Sequence, residues 1–126
     1  MASQLCLRGY VASLTLKNYP GVDVFAYNPN NEKQVAVQVK ASTDGWFNPG
    51  TLKGRKGVFV YAHVKADKII DYYVIPASRV ATVVAERLKE YLDSHPNSAK
   101  DQPTWVSGEE DFPEYKDKWN ILGLKR

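Results

Sequence analysis

Apolar and polar residues alternate in five short segments of the chain, a pattern typical of β-strands. The predicted strands cover residues 10–16, 22–27, 34–40, 58–64 and 69–75. The third segment has the cleanest alternation, with Val35, Val37 and Val39 on the side that we expect to face a core. The pattern therefore predicts one sheet of five strands.

Helical signals flank these strands. Residues 2–9 are typical of the end of a helix, and Ser78 is a candidate N-cap for a helix that runs to about Asp93. Residues 94–113 are polar and contain three prolines, which predicts a long loop, and a short final helix is predicted over 115–122. This order predicts an α/β fold, a central mixed five-stranded sheet flanked by helices, in a single domain over 1–126.

Composition narrows the classes of protein. The chain has 126 residues and a formal net charge of +3, which permits a nucleic-acid partner without demanding one. Cys6 is the only cysteine, so a disulfide framework and a cysteine zinc cluster are excluded. No apolar run is long enough for a membrane helix and no secretory signal is evident, so we expect a cytoplasmic protein without a membrane partner.

The second and third predicted strands bring three chemical groups together. With Asn30 and Asn31 at the centre of the turn, Asp23 faces Gln38, and Lys40 lies on the same side of the sheet. The Asp23 carboxylate, the Gln38 amide oxygen and the Val39 carbonyl oxygen are ligands suited to Mg²⁺ (or Mn²⁺). The Lys40 ammonium can orient a water or stabilise charge on a phosphate.

The same pattern has a simpler interpretation. Polar residues that alternate along a strand are usually its solvent-facing side, and a lysine there protects a sheet edge from pairing. A slip of one residue in the register would also separate the three groups. Hairpin geometry alone leaves both interpretations open.

A family resemblance favours the catalytic interpretation. The segment Pro20-Gly21-Val22-Asp23, followed after fourteen residues by Gln38-Val39-Lys40, resembles the PD-(D/E)xK nuclease superfamily, in a variant with glutamine at the second acidic position. The resemblance implies a restriction-endonuclease-like core and a Mg²⁺-dependent DNA endonuclease that hydrolyses phosphodiester bonds. It assigns catalysis to Asp23, Gln38 and Lys40, and metal binding to Asp23, Gln38 and Val39.

One departure from the family pattern matters. Active members often contribute a glutamate from the first helix, whereas no Asp or Glu precedes Asp23 here. Two alternatives follow from this departure. The chain is a catalytically inactive relative that binds nucleic acid or a protein partner, or it is a truncated gene product without activity.

The loop after Lys40 carries the candidate DNA contacts. Lys53, Arg55 and Lys56 are predicted to bind phosphates, and Trp46 is a candidate for stacking on an exposed base. The alternative for the aromatic pair is that Trp46 and Phe47 pack under the loop as a small satellite core.

Other chemistry-bearing residues are given structural roles. His63 is expected to be a structural or surface side chain, residues 108–111 a solvated acidic turn, and Arg87 a partner in surface pairs along its helix. Aromatic side chains are expected to add surface that suits a homodimer, namely Tyr61, Tyr72, Tyr73 and Trp119.

Overall fold

The structure is a computed structural model that describes residues 11–14, 24–28, 32–50, 57–66, 69–97 and 104–122. In chain order its elements are strands β1 (Val11–Leu14), β2 (Val24–Asn28), β3 (Lys33–Ser42), β4 (Trp46–Phe47), β5 (Val58–Val64) and β6 (Ile70–Pro76), helix α1 (Ala77–Ser94), strand β7 (Val106–Ser107), the one-turn helix α2 (Gly108–Asp111), and 3-10 turns at Pro113–Tyr115 and Trp119–Leu122. The helix end predicted at residues 2–9 lies outside the described ranges.

Five strands form the main sheet in the order β1-β2-β3-β5-β6. The β3–β5 pair is parallel, and the other three pairs are antiparallel. The predicted α/β fold with a central mixed five-stranded sheet is thus confirmed. Each of the five predicted strands corresponds to an observed one, with ends that differ by a few residues.

The sheet is buried on both faces at its centre. One core contains Val37, Val58, Val60 and Val74, together with Ala26. The other contains large aromatic and aliphatic side chains from β5 and β6, namely Phe59, Tyr61, Tyr73 and Ile75. β5 contributes to both cores because successive strand residues point to opposite faces.

Helix α1 covers the second core. It buries Ala77, Val80 and Val83 and begins immediately after Pro76, with no side-chain cap at its N-terminus. The predicted cap at Ser78 is therefore wrong: the helix starts earlier, because the strand leads directly into it at Pro76. Within the described ranges, no helix combines the length and hydrophobicity needed to cross a bilayer.

The C-terminal segment covers the first core. Trp119 and Leu122 pack with the valines of the sheet, and the rings of Trp119 and Tyr72 lie 5.5 Å apart. Two 3-10 turns replace the single helix predicted over 115–122. Tyr61, Tyr73 and Trp119 are buried rather than exposed, so the aromatic surface expected to support a homodimer is not formed by them.

A second, two-stranded sheet lies beside the main one. β4 pairs with β7 in antiparallel fashion, Trp46 with Ser107 and Phe47 with Val106. The prediction of a loop over 94–113 is therefore wrong for this part of the segment, because Val106 is apolar and fully buried against the second core. Residues 108–111 form helix α2, capped by Ser107, rather than a solvated turn.

An ion pair connects α1 to this small sheet. The Arg87 guanidinium donates to both carboxylate oxygens of Asp111, with Nε at 3.0 and 2.9 Å and Nη2 at 2.6 Å. Asp111 also accepts from the backbone N–H of Ser107 at 2.7 Å. The prediction that Arg87 takes part only in surface pairs along its own helix is thus wrong, since its partner lies 24 positions away.

We expect this ion pair to stabilise the fold more than an exposed pair does, because it is bidentate and the Asp111 side chain is only 12% exposed. In a double-mutant cycle of Arg87→Ala and Asp111→Ala, the coupling in the free energy of unfolding should be about 1–2 kcal/mol. The exposed Glu110 on the same short helix is the matched control, and Glu110→Ala should change stability by less than about 0.5 kcal/mol. A coupling near zero in urea unfolding would contradict this expectation.

Gly57 sits where the chain enters β5 close to the backbone of β3. Its φ is +95°, and a Cβ at this position would overlap the carbonyl oxygen of Ala36. Its own carbonyl accepts the N–H of Ala77 at 3.0 Å, at the start of α1. The position therefore requires glycine for its backbone conformation and also for space.

The two requirements can be separated by comparing Gly57→Ala with Gly50→Ala. Gly50 also has a positive φ, +76°, but nothing lies within 4 Å of an added Cβ. Gly50→Ala should cost about 1 kcal/mol from backbone strain alone, and Gly57→Ala should cost at least about 2 kcal/mol more because β3 and β5 must separate. If chemical denaturation gave the same loss of unfolding free energy for both variants, the close approach of Gly57 to Ala36 would make no contribution to stability.

Candidate functional site

The register between β2 and β3 decides which side chains share a face. Tyr27 pairs with Gln34 and Phe25 with Ala36, as the alternating pattern predicts, and Val24 pairs with Val37. The predicted register is thus confirmed over these pairs. Asp23, which precedes Val24 in the sequence, lies outside the described residues.

Gln38 and Lys40 lie on the side of β3 that faces α1. In the parallel ladder Gln38 pairs with Phe59 and Lys40 with Tyr61. Both of these aromatic partners belong to the core under α1. Both polar residues are half-buried, so they are neither core positions nor fully solvated ones. Two of the three predicted catalytic groups are therefore brought to one partly enclosed face.

Val39 lies between them and points to the other face of the sheet. It is half-buried and packs against the first core. Its side chain therefore anchors this part of β3, and its carbonyl oxygen is the only atom of Val39 that is of a type that ligates a hard cation. Three predicted phosphate contacts lie outside the described residues, namely Lys53, Arg55 and Lys56.

An open cleft of about 520 Å³ begins at Lys40 and continues along the small sheet. Its lining includes Ser42, Trp46, Asn48 and Trp105. The cleft forms because β3 ends at Ser42 and the chain turns back at once into β4. Lys40 therefore lies at the edge of a concave surface rather than on a flat sheet.

Hydrogen bonds fix the floor of this cleft. The hydroxyls of Ser42 and Tyr61 lie 2.6 Å apart, and Ser42 Oγ donates to the Trp46 carbonyl, also at 2.6 Å. The Trp46 N–H in turn donates to Asp44 Oδ1 at 3.0 Å. The turn between β3 and β4 is thus held by both of its ends.

The charge states of this floor follow from its contacts. Burial raises the pKa of the Tyr61 hydroxyl above its ordinary value, so this group stays protonated at neutral pH. The hydrogen bond from the Trp46 N–H lowers the pKa of Asp44, so that carboxylate stays ionised. The lining of the cleft therefore includes the Ser42 hydroxyl, which is supported from beneath by Tyr61, and the ionised Asp44 carboxylate, as well as Lys40.

The two adjacent aromatic residues of β4 have different surroundings. Phe47 is buried and its ring stacks on Tyr61, with centroids 4.5 Å apart. Trp46 is half-buried, lines the cleft, and has the Arg87 guanidinium 5.1 Å from its ring centroid. The prediction of core packing is thus confirmed for Phe47. Trp46 instead stays at the surface, where a ligand could contact its ring.

Sequence reasoning missed Trp105 and Ser42. Trp105 is 54% exposed and lies in the segment interpreted as loop, while Ser42 lies just beyond the predicted third strand. The apolar pair Trp105-Val106 within an otherwise polar stretch is the signal that could have been noticed. His63 is half-buried beside Tyr61, with ring centroids 6.3 Å apart, which agrees with a structural role.

The donor atoms on this face suit a hard divalent cation only in part. Gln38 offers an amide oxygen and Val39 a carbonyl oxygen, and both atom types ligate Mg²⁺. Among the described residues there is no group of three or more His, Cys, Asp or Glu side chains that could hold a metal ion. The carboxylate predicted for this site, that of Asp23, lies outside the described residues.

Comparisons with known proteins support the fold. No protein-family model matches the chain, and no curated protein matches its sequence. Among solved structures, the fold is similar to that of Hjc, a Holliday junction resolvase from the archaeal hyperthermophile Archaeoglobus fulgidus, with a TM-score of 0.54 and 12% sequence identity. The match covers 98% of this chain and 90% of the resolvase chain, so the likeness extends over the whole architecture.

Proposed function

We propose that this protein is a metal-dependent endonuclease that hydrolyses phosphodiester bonds in DNA. The observation that carries the proposal is the half-buried placement of Gln38 and Lys40 on one face of β3, with Lys40 in the lining of a cleft. The likeness in fold to a Holliday junction resolvase supports it and suggests branched DNA as the first substrate to test. Fold alone does not determine function, so the proposal depends on the chemistry of the individual residues.

Asp23 completes the proposed site. Extending the observed ladder by one residue beyond the Val24–Val37 pair would set Asp23 opposite Gln38. Residues directly opposite one another share a face, with Cβ atoms about 4.5–5.5 Å apart. The confirmed register between β2 and β3 thus supports a carboxylate beside the Gln38 amide.

The Asp23 carboxylate, the Gln38 amide oxygen and the Val39 carbonyl would hold Mg²⁺ or Mn²⁺. When bound, the cation polarises a phosphoryl oxygen and lowers the pKa of a water molecule at the site. A neutral amide attracts a cation less strongly than a second carboxylate does, so binding should be weak until the substrate phosphate contributes its own oxygens.

Lys40 is proposed to act on the reacting phosphate. Its ammonium lies on the same face as Gln38 and lines the cleft, where partial burial strengthens its interaction with an anion. It would orient the attacking water and stabilise the negative charge that builds on the phosphoryl oxygens. Lys53, Arg55 and Lys56 would neutralise neighbouring phosphates of the DNA backbone.

The catalytic proposal predicts cleavage of branched or plasmid DNA in Mg²⁺ or Mn²⁺ and none in EDTA. Asp23→Ala and Lys40→Ala should each lower the cleavage rate by a factor of about 100 or more, because each removes a group that acts on the reacting phosphate. Lys89→Ala, which removes an exposed lysine from α1, is the matched control and should leave the rate unchanged. Unaltered cleavage by the Lys40 variant would refute the assigned role.

A second candidate is a non-catalytic relative that binds nucleic acid. It is favoured by the neutral Gln38 on β3, at the position where the resembled nuclease motif has an acidic residue. For a non-catalytic protein we expect no cleavage of any DNA, and DNA binding that neither EDTA nor Asp23→Ala changes. Gel-shift measurements beside the cleavage assay separate the two candidates.

Both candidates place three cations on the DNA backbone, and this can be tested by salt titration. Replacing Lys53, Arg55 and Lys56 together with alanine should make the slope of log affinity against log salt concentration shallower by about 3, since each phosphate contact contributes about 0.9 to the slope. The variant Lys89→Ala should keep the original slope. A triple variant with an unchanged slope would remove this loop from the DNA interface.

A further inference from the structure

Trp105 is a large aromatic side chain in the lining of the cleft, and core packing does not account for its exposed position. It is 54% exposed, whereas its neighbour Val106 is fully buried in the core under α1. Trp105 directly precedes β7, and its exposed side chain belongs to the lining of the cleft. An exposed indole at a concave surface indicates a binding role more strongly than a packing role.

Trp46 provides a second aromatic wall that is held in place. Its ring contacts the Arg87 guanidinium, which the ion pair to Asp111 fixes in turn. Its backbone N–H donates to the Asp44 carboxylate, and its backbone carbonyl accepts from the Ser42 hydroxyl. Such a ring loses little conformational entropy when a ligand stacks on it.

The rest of the lining is polar. Lys40 supplies a cation, and Ser42, Thr43 and Asn48 supply hydroxyl and amide groups. The carboxylate of Asp44 also lines the cleft, but it already accepts a hydrogen bond from the Trp46 backbone N–H. Aromatic walls, one cation and several hydrogen-bonding groups together suit a nucleotide, and about 520 Å³ lies within the range of small-ligand sites.

We propose that this cleft holds one unpaired base of a DNA substrate, stacked on Trp105 and bounded by Trp46, with its phosphate directed toward Lys40. The inference rests on the proposed function, whose reacting phosphate lies at Lys40, and it narrows the substrate to DNA with an unpaired nucleotide beside a duplex. A base inside a duplex has both faces covered by its neighbours, so an indole can stack on an interior base only after that base has left the helix.

The test compares binding of two DNAs in EDTA, where no cleavage occurs. One is a blunt duplex, and the other is the same duplex with a short single-stranded thymidine overhang. The wild type should bind the overhang DNA more tightly. Trp105→Ala should weaken binding of the overhang DNA on the order of tenfold or more and leave the blunt duplex unaffected, since stacking of one base has about that effect on affinity.

Two further variants make the result specific. Trp105→Phe keeps an aromatic face and should restore most of the preference for the overhang DNA. Tyr91→Ala removes an aromatic side chain that is 42% exposed on α1, outside the cleft, and should change neither affinity. All three variants alter exposed positions, and circular dichroism verifies that they fold as the wild type does.

The proposal is overturned if Trp105→Ala binds both DNAs as the wild type does, or if it weakens both equally. It is also overturned if Tyr91→Ala causes the same selective loss. Because these measurements exclude metal, a failure to cleave DNA in Mg²⁺ contradicts the proposed nuclease while a selective effect of Trp105→Ala still supports the base-holding cleft.

Discussion

The position of β3 between an antiparallel and a parallel neighbour is the constraint on which the rest of the molecule depends. The antiparallel ladder with β2 sets which residues share a face, and the parallel ladder with β5 sets which of them lie beside the aromatic core. Val37 and Val39 pack on one side of this strand, so Gln38 and Lys40 must project on the other. A shift of one residue would bury the polar groups among valines at a high cost in desolvation.

The parallel ladder has a second effect, on where the cleft can form. Two parallel strands end at the same edge of a sheet, and the chain must cross over to join them. Here the crossing chain runs through β4, which takes β7 as its partner. The cleft is therefore bounded by the end of β3 and by the small sheet to which this connection contributes β4.

Much of this could be predicted from the sequence, because the information is local. The alternation along β3 is a property of ten consecutive residues, and the turn residues between β2 and β3 determine their register. This local information was sufficient to predict which face of the sheet carries Gln38 and Lys40. The pairing of Trp46 with Ser107 and of Arg87 with Asp111 joins distant residues, and no local periodicity encodes such a choice. For the same reason the buried state of Trp119 and the outward placement of Trp105 emerged only from tertiary packing.

Among the described residues the small sheet has two residue pairs, whereas the ladders of the main sheet have four to seven. Separating two pairs requires much less free energy than opening the five-stranded sheet, since fewer hydrogen bonds and less apolar surface are involved. Trp105, which directly precedes β7 and is 54% exposed, can therefore adjust locally, while Trp46, held against Arg87, and the strand that carries Lys40 stay in place. Under the proposed function, recognition and chemistry would then be assigned to parts of different stiffness, with adaptation confined to the Trp105 side of the cleft.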